Sequence, residues 1–551
     1  MKHALSLLLA ACQLAAQVRF VDISSTSGLT YPMICGSNEH KTYLIETLGA
    51  GLALIDYDND GLLDLFTVTA ALLDPQPGIA PTNHLYRNLG NGKFADVTVA
   101  AGLAKSGWGQ GVCAGDFDND GFIDLFVTHY GQDVLYRNTG KGTFEDVTKA
   151  AGLSDRPGAP ARWGTGCAFV DYNLDGKLDL FVANYIQFDR NYTPTPDQAN
   201  ACRWKNQPVP CGPLGLKGGF NRLWRNISTP GSIRFEDVSS SSGIAKAGER
   251  YSLSVTTLDY DHDGWPDIYV AVDSQPSILY HNNRDGTFSD RAIEAGVGLS
   301  ENGIEQAGMG TAAADFDGDG TLDLVKTNFV DDLPNLYRNL GDGSFEEVTL
   351  AAGLGKHREF MGWGVSSLDF DNDSWPDILM VNGHIYPNVK GVEFEQRRLL
   401  YRNLGNGKFT EVSGSDIADL QIPKSSRGLA VGDFDNDGDL DVFISNLGQT
   451  PTLLRNDGGN RQHFLNLKLI GTRANRSAIG ARVTVFVGKR KIVQEVRSGS
   501  SFLSHSDLRL HFGLGQAIRA DRVEIEWPGG TKQILAASGA DRFLTVTEPV
   551  Q

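Results

Sequence analysis

Past its first twenty residues the chain has no apolar run near the roughly 18 residues of a membrane-spanning helix. Positive charge is also short. Lys and Arg number 49 against 67 Asp and Glu, a net charge of −18, which argues against nucleic acid as a partner. There is no Gly-x-Ser-x-Gly, His-Glu-x-x-His or P-loop, so no ready-made hydrolase, metalloprotease or nucleotidase motif. Cysteine is limited to six residues, none at zinc-site spacing. Low charge density is not among the peculiarities: charged residues are 21% and aromatics 9%, values of a folded protein rather than a disordered one.

What the chain has in quantity is glycine, 64 residues in 551. That implies many tight turns and many short strands. The length exceeds one simple core and calls for several domains or a large repeat array.

The start reads as an export signal. Lys2 and His3 precede the apolar run Ala4 to Ala11. Cleavage after Ala16 would release a mature protein to the periplasm, the outer surface or the medium. Leu9-Ala-Ala-Cys12 offers the alternative of a lipoprotein box that leaves Cys12 as a lipid anchor. Cys202 and Cys211, in a Pro/Gly-rich stretch, form either a disulfide or two buried thiols. Cys35, Cys113 and Cys167 lie in apolar strand patterns and read as core thiols.

One pattern, Asp-x-Asp-x-Asp-Gly-x-x-Asp, recurs seven times, and internal repeats decide the fold. A Leu-Tyr-Arg-Asn strand follows each loop, as at Leu85, Leu135, Leu336 and Leu400, and then Phe-x-Asp/Glu-Val, as at Phe144. Each unit reads as four strands, and seven such units predict a seven-bladed β-propeller rather than a linear stack. The seventh unit ends at Asn456 without its Phe-x-Asp/Glu-Val copy. The missing copy stands at Phe20-Val-Asp-Ile, so an N-terminal strand is expected to complete the last blade and close the ring. The fold class is therefore all-β. The expected domains are a signal at 1–16, a propeller over 17–458 and a small β-sandwich-like domain over 459–551. In that last domain, segments such as Ala481–Val487 and Val523–Trp527 alternate apolar and polar residues.

Carboxylates this crowded repel one another, and a divalent cation between them is the natural remedy. Calcium wants six to eight oxygens, and a loop with acids at positions 1, 3, 5 and 9 can wrap one ion. The ligand sets are Asp56, Asp58, Asp60 and Asp64; Asp116, Asp118, Asp120 and Asp124; Asp171, Asn173, Asp175 and Asp179; and Asp259, Asp261, Asp263 and Asp267. The remaining three are Asp315, Asp317, Asp319 and Asp323; Asp369, Asp371, Asp373 and Asp377; and Asp433, Asp435, Asp437 and Asp441. Asn173 and Ser374, the latter in place of the turn glycine, mark the third and sixth loops as the weakest sites. Up to seven Ca2+ ions would bring the net charge close to neutral.

The repeats, for example Gly115-Asp-Phe-Asp-Asn-Asp-Gly, resemble the FG-GAP/VCBS family of calcium-binding propellers. Ser477-Ala-Ile-Gly-Ala-Arg-Val and Val523-Glu-Ile-Glu-Trp-Pro-Gly-Gly resemble the ASPIC/UnbV domain. The arrangement is similar to that of the cartilage acidic protein family. The resemblance implies calcium binding, export and an adhesive or recognition role, with no established reaction.

Strand B of each unit runs from the acidic loop to the opposite face, where polar residues gather: His129, Tyr130, Asn184, Tyr185, Asp273, Asn328, Asn382, His384 and Asn446. They either satisfy turns or line a ligand pocket at the axial mouth. An insertion over 186–221, carrying Trp204 and the two cysteines, falls on the same face and reads as a lid or recognition loop. The Arg of Leu-Tyr-Arg-Asn is expected to pair with strand-D acids such as Asp146. The function expected is recognition of an extracellular protein or glycan. The rival is a lyase or hydrolase acting on a polar substrate at the mouth, with His129 and His384 as first acid/base candidates.

Overall fold

The computed structural model describes residues 18–74, 81–156 and 158–550. The export segment and Cys12 lie outside the described residues.

The seven repeats fold as seven antiparallel four-stranded sheets. The second shows how its residues make one. Trp108–Gly115 and Asp124–Tyr130 are buried almost throughout, as strands covered on both faces must be. The outermost strand, Phe144–Asp146, buries only Phe144 and turns two acids to solvent. Each innermost strand packs against the innermost strand of the next sheet, and the seventh packs against the first, so the chain closes into a β-propeller. In the last sheet Arg19–Asp22 is the outer strand, paired antiparallel with Leu454 to Asp457. The phase of the repeats required this closure. Phe20 is 1% exposed and packs 6.3 Å from the ring of Phe370. Deleting residues 1–24 should therefore cost at least the about 3–5 kcal/mol of a buried phenylalanine. Thermal unfolding checks this, and a truncated protein that melts with the parent would contradict closure by this strand.

The asparagine of each Leu-Tyr-Arg-Asn strand ties the ring together. Its Nδ2 donates to the carbonyl of the second loop residue in the preceding blade: Asn138 to Tyr57 at 2.8 Å, Asn226 to Phe117 at 2.9 Å, Asn282 to Tyr172 at 2.8 Å. The series continues around the ring and closes with Asn88 donating to Phe434 of the seventh blade at 2.9 Å. The acidic loops are thus the joints between blades.

The cysteines depart from expectation in one respect. Cys113 and Cys167 are joined in a disulfide between the inner strands of the second and third blades, where core thiols were expected. The two strands lie side by side in the ring, which brings residues 54 apart in sequence to a Cα separation of 5.7 Å. Cys202 and Cys211 are also bonded, and Cys35 is a free, buried thiol.

The C-terminal region forms a three-stranded sheet and a four-stranded sheet, with His463–Ile470 parallel to Arg542–Thr547. It does not keep its apolar residues to itself. Leu465, Val483, Phe512 and Trp527 belong to one continuous core with Phe117, Phe126 and Phe169 of the second and third blades. It sits on the face of the acidic loops and touches most of them. Ser477 Oγ accepts from Asp116 N at 2.9 Å, and Arg509 donates to Asn436 Oδ1 and the Asp433 carbonyl, both at 2.8 Å. His511 Nε2 lies 2.7 Å from Asn372 Oδ1, and Arg490 stacks on Trp375 at 3.5 Å.

From this domain a finger, residues 497–507, runs into the axis of the propeller. It bonds to inner strands on several sides: Ser501 and Thr311 exchange N–H···O bonds of 2.8 and 3.0 Å, Val112 N donates to Leu503 O at 3.1 Å, and His505 N donates to Leu52 O at 2.9 Å. Phe502, fully buried, meets Trp363 edge to face at 4.6 Å between centroids. The glycines of the inner strands make the room. A Cβ on Gly51 would fall 1.7 Å from Leu503 O, and one on Gly428 2.5 Å from Ser504 Oγ. Ser501 and Leu503 hold φ of 59° and 55°, conformations that non-glycine residues keep only where packing imposes them.

Candidate metal centres and axial cavity

Each acidic loop is a tight bend between the innermost strand and the next. Backbone N–H groups fix its carboxylates in the same way in every blade. In the second loop, Gly121 N donates to Asp116 Oδ2 at 2.7 Å and Phe122 N to Asp120 Oδ1 at 3.0 Å. Asp124 accepts from Phe117 N at 3.0 Å and from Asn138 N at 2.7 Å. The fourth loop residue takes a left-handed conformation throughout, as in Asn59 (φ 56°), Asn119 (58°) and His262 (58°). Ser374 adopts the glycine conformation at φ 75°.

These loops fit a cation by a test independent of charge counting. The third-position aspartate turns one buried oxygen inward with no hydrogen-bond partner in five loops: Oδ1 of Asp58, Asp118, Asp261, Asp371 and Asp435. A buried carboxylate oxygen left unpaired is costly. The same lapse repeated five times is what a missing ligand produces. Carboxylate oxygens of Asp56, Asp58 and Asp64 lie within 4.8 Å of one another, and so do those of Asp116, Asp118 and Asp124 and of Asp315, Asp317 and Asp323. All are hard oxygen donors, the chemistry calcium selects.

Burial raises the carboxyl groups. Asp64 is pushed up to about 8, Asp116 to about 7 and Asp259 to about 8, in each case first by loss of water. Asp124, Asp377 and Asp441 stand well above the ordinary range for the same reason, with neighbouring aspartates adding to it.

The repeated arginine has a different partner from the expected one. Arg137 pairs with Asp118 at 2.5 Å and Asp120 at 2.6 Å, not with Asp146, and Arg87 and Arg402 embrace their loops likewise. Asp146 instead accepts from Thr148 and pairs with Lys105. The arginine lies beside the loop on the blade's third strand, so its fork reaches the outer oxygens of positions 3 and 5. Only Arg338 takes a strand-D acid, Glu346, among these side chains.

On the opposite face lies a cavity of about 330 Å³. Of the ten residues the sequence placed at this mouth, Tyr185, Trp204 and Asp273 line it. Phe329, Trp363 and Tyr386 join them: Phe329 follows strand B as Tyr185 does, whereas Trp363 comes from an innermost strand and Tyr386 from the loop beyond Asn382, positions the repeat pattern did not single out for the mouth. The insertion forms the roof: Cys202–Trp204 and Gln207–Val209 make a hairpin pinned by the Cys202–Cys211 bond. Asp273 is 7% exposed, accepts from Tyr185 OH at 2.5 Å and Ser274 Oγ at 2.8 Å, and is raised by burial.

The other predicted mouth residues are engaged within the protein. Asn328 Nδ2 donates to Leu333 O at 2.6 Å, Asn382 Nδ2 to Arg397 O at 2.8 Å and Asn446 Nδ2 to Thr452 Oγ1 at 2.9 Å. Asn184 is buried, and Tyr130 OH donates to Phe188 O at 3.0 Å. His129 and His384 are buried, held down to about 4 and about 3 by loss of water. His384 Nδ1 accepts from Tyr386 N at 3.1 Å, and its ring packs 5.0 Å from that of Trp204.

A family model described as FG-GAP-like repeat matches residues 56–127, 116–182, 259–325 and 392–444, which take in every acidic loop but the sixth. The chain carries FG-GAP-like repeats. Residues 471–551 match the model for ASPIC and UnbV, so the domain that sends the finger into this FG-GAP propeller is an ASPIC/UnbV domain. Cartilage acidic protein 1, which has this architecture, is related to it. The mouse protein is 26% identical over 392 residues, covering 70% of this chain and 54% of its own length. The human protein is 27% identical over 371 residues, covering 67% and 50%. The Xenopus tropicalis protein is 24% identical over 506 residues, covering 88% and 71%. The chain thus spans about half the length of the mouse and human relatives. Among solved structures, an Agrocybe aegerita lectin that recognises non-reducing terminal N-acetylglucosamine is 16% identical, with a TM-score of 0.37, covering 72% of this chain and 88% of its own. No helix among the described residues is long and apolar enough to cross a membrane.

Proposed function

We propose that this FG-GAP protein is an exported, calcium-loaded recognition protein, and that its ligand, an extracellular glycan or protein segment, enters the cavity beneath the 186–221 insertion. Calcium in the acidic loops stiffens the joints between blades, and the ring holds the cavity walls in place. The carrying observation is the cavity itself: aromatic walls, a hydrogen-bonded buried carboxylate and a disulfide-pinned roof, the make-up of a preformed site. Relatedness to cartilage acidic protein 1 supports an extracellular role. His129 and His384 are absent from the lining of this cavity, which counts against acid–base chemistry there by either imidazole.

The test is a screen of immobilised glycans and matrix proteins with the calcium-loaded protein, repeated with Trp204→Ala and Asp273→Asn. Each substitution should weaken the retained ligand at least tenfold, about 1.4 kcal/mol. A ligand held equally well by both variants would place recognition elsewhere.

A further inference from the structure

The fourth blade breaks the arginine rule. Six Leu-Tyr-Arg-Asn strands carry Arg at the third position: Arg87, Arg137, Arg225, Arg338, Arg402 and Arg455. The fourth carries His281. An imidazole is too short to span the third- and fifth-position carboxylates as the guanidinium of Arg137 does. The outer charge is supplied from the following turn instead, where Arg284 Nε donates to Asp263 at 2.7 Å. That leaves the imidazole free for the interior of the loop.

There its Nδ1 lies 3.3 Å from Asp267 Oδ1 and 3.6 Å from Asp261 Oδ2. These are ion-pair distances without hydrogen-bond geometry. Both His281 Nδ1 and Asp261 Oδ1 are buried atoms with no hydrogen-bond partner. One donor atom from each of Asp261, Asp267 and His281 falls within 4.8 Å of the others. Asp267, 1% exposed, is fixed by the N–H groups of Asn282 at 2.8 Å and Tyr260 at 3.3 Å, and the Tyr260 ring meets the imidazole edge to face at 5.8 Å. The loop also draws an acid from outside the propeller: Glu495 of the ASPIC/UnbV domain accepts from Asp259 N at 3.4 Å.

We propose that Asp261, Asp267 and His281 form a mixed carboxylate–imidazole site for a borderline first-row dication such as Zn2+, Mn2+ or Co2+, chemically distinct from the all-oxygen loops of the other blades. Calcium disfavours nitrogen, whereas imidazole is a preferred ligand of the first-row ions. Three donors converging on one point, at about 2.0–2.2 Å from a shared ion, are what such an ion needs, with water completing the shell. The alternative is a plain ion pair, an imidazolium standing in for the guanidinium.

The experiment uses the full chain, stripped of metal and then held in excess Ca2+ so that the oxygen sites are filled. Titration with Co2+ should give one saturating equivalent with visible d–d absorption. His281→Arg, which installs the residue of the other six blades, should abolish that equivalent, and His262→Ala, which alters the loop's other imidazole, should retain it. An anomalous difference map at the zinc edge, on parent crystals soaked in zinc and calcium, should peak between the three side chains and needs no variant to fold. Absence of a saturating Co2+ equivalent, its survival in His281→Arg, its loss in His262→Ala, or a zinc peak only elsewhere would overturn the proposal. None of these results bears on the cavity reading, which is scored by ligand retention.

Discussion

Chelation of divalent ions should lower the melting temperature of this protein by about 10 °C or more, with the gap widening as pH rises. Extracellular calcium modules bind at about 10⁻⁴ to 10⁻³ M, so at about 2 mM free calcium each site adds roughly 0.7–1.8 kcal/mol by mass action. The six all-oxygen sites acting on one ring would sum to about 4–11 kcal/mol, comparable to the whole stability of an ordinary domain. The pH dependence follows from the buried carboxyls. In the metal-free protein Asp64, Asp116 and Asp259 titrate at about 8, 7 and 8, above the ordinary value near 3.8. Between those values the folded chain holds protons that the unfolded chain has lost. Metal-free stability therefore falls as pH climbs from 4 through 8. Calcium bound in the loops would displace the same protons, so its effect should grow over that window. Scanning fluorimetry with calcium and with chelator, at pH 5.5 and pH 8, reads both arms. Coincident melting curves at pH 8 would remove structural metal from the description.

Phe502→Ala should destabilise the protein by about 3–5 kcal/mol, the cost of emptying a phenylalanine site in a packed core. The ring is fully buried against Trp363 at the tip of a segment that contributes no strand to any blade. Its loss also frees Ser501 and Leu503 from the left-handed conformations that packing enforces. Limited proteolysis should then cut within 497–507, where the parent resists. If Phe502→Ala melts with the parent and stays uncut, the finger does not brace the axis as its hydrogen bonds imply.

Much of the propeller was legible because it is written locally. The acidic loop, the strand spacing and the stray Phe20 strand each recur at a fixed phase, so one blade explains the others and the phase shift explains the closure. Misreadings came where a side chain's partner lies off its own strand. Asp146 on the outer strand stands opposite Tyr136, with Glu145 opposite Arg137, and the Arg137 guanidinium turns instead to Asp118 and Asp120, whose combined charge is larger. Cys113 and Cys167 read as thiols because nothing in either strand reveals that the two innermost strands lie side by side. The mouth residues were placed by topology alone, which located the face but not the depth, and most of them turned out to serve turns.

The repeat, the all-β class and the phase of ring closure are readable from the chain alone, since they rest on short-range periodicity that any one blade repeats. Only the tertiary structure decided that the ASPIC/UnbV domain shares its core with the second and third blades and sends residues 497–507 into the axis. It also showed His281 facing Asp261 and Asp267, and brought Trp204 of the roof and Asp273 to one cavity. The physical reason is that Ser-Gly-Ser-Ser-Phe-Leu-Ser carries no period of its own. Its conformation is set by unpaired inner-strand amides and glycine gaps contributed by blades hundreds of residues away.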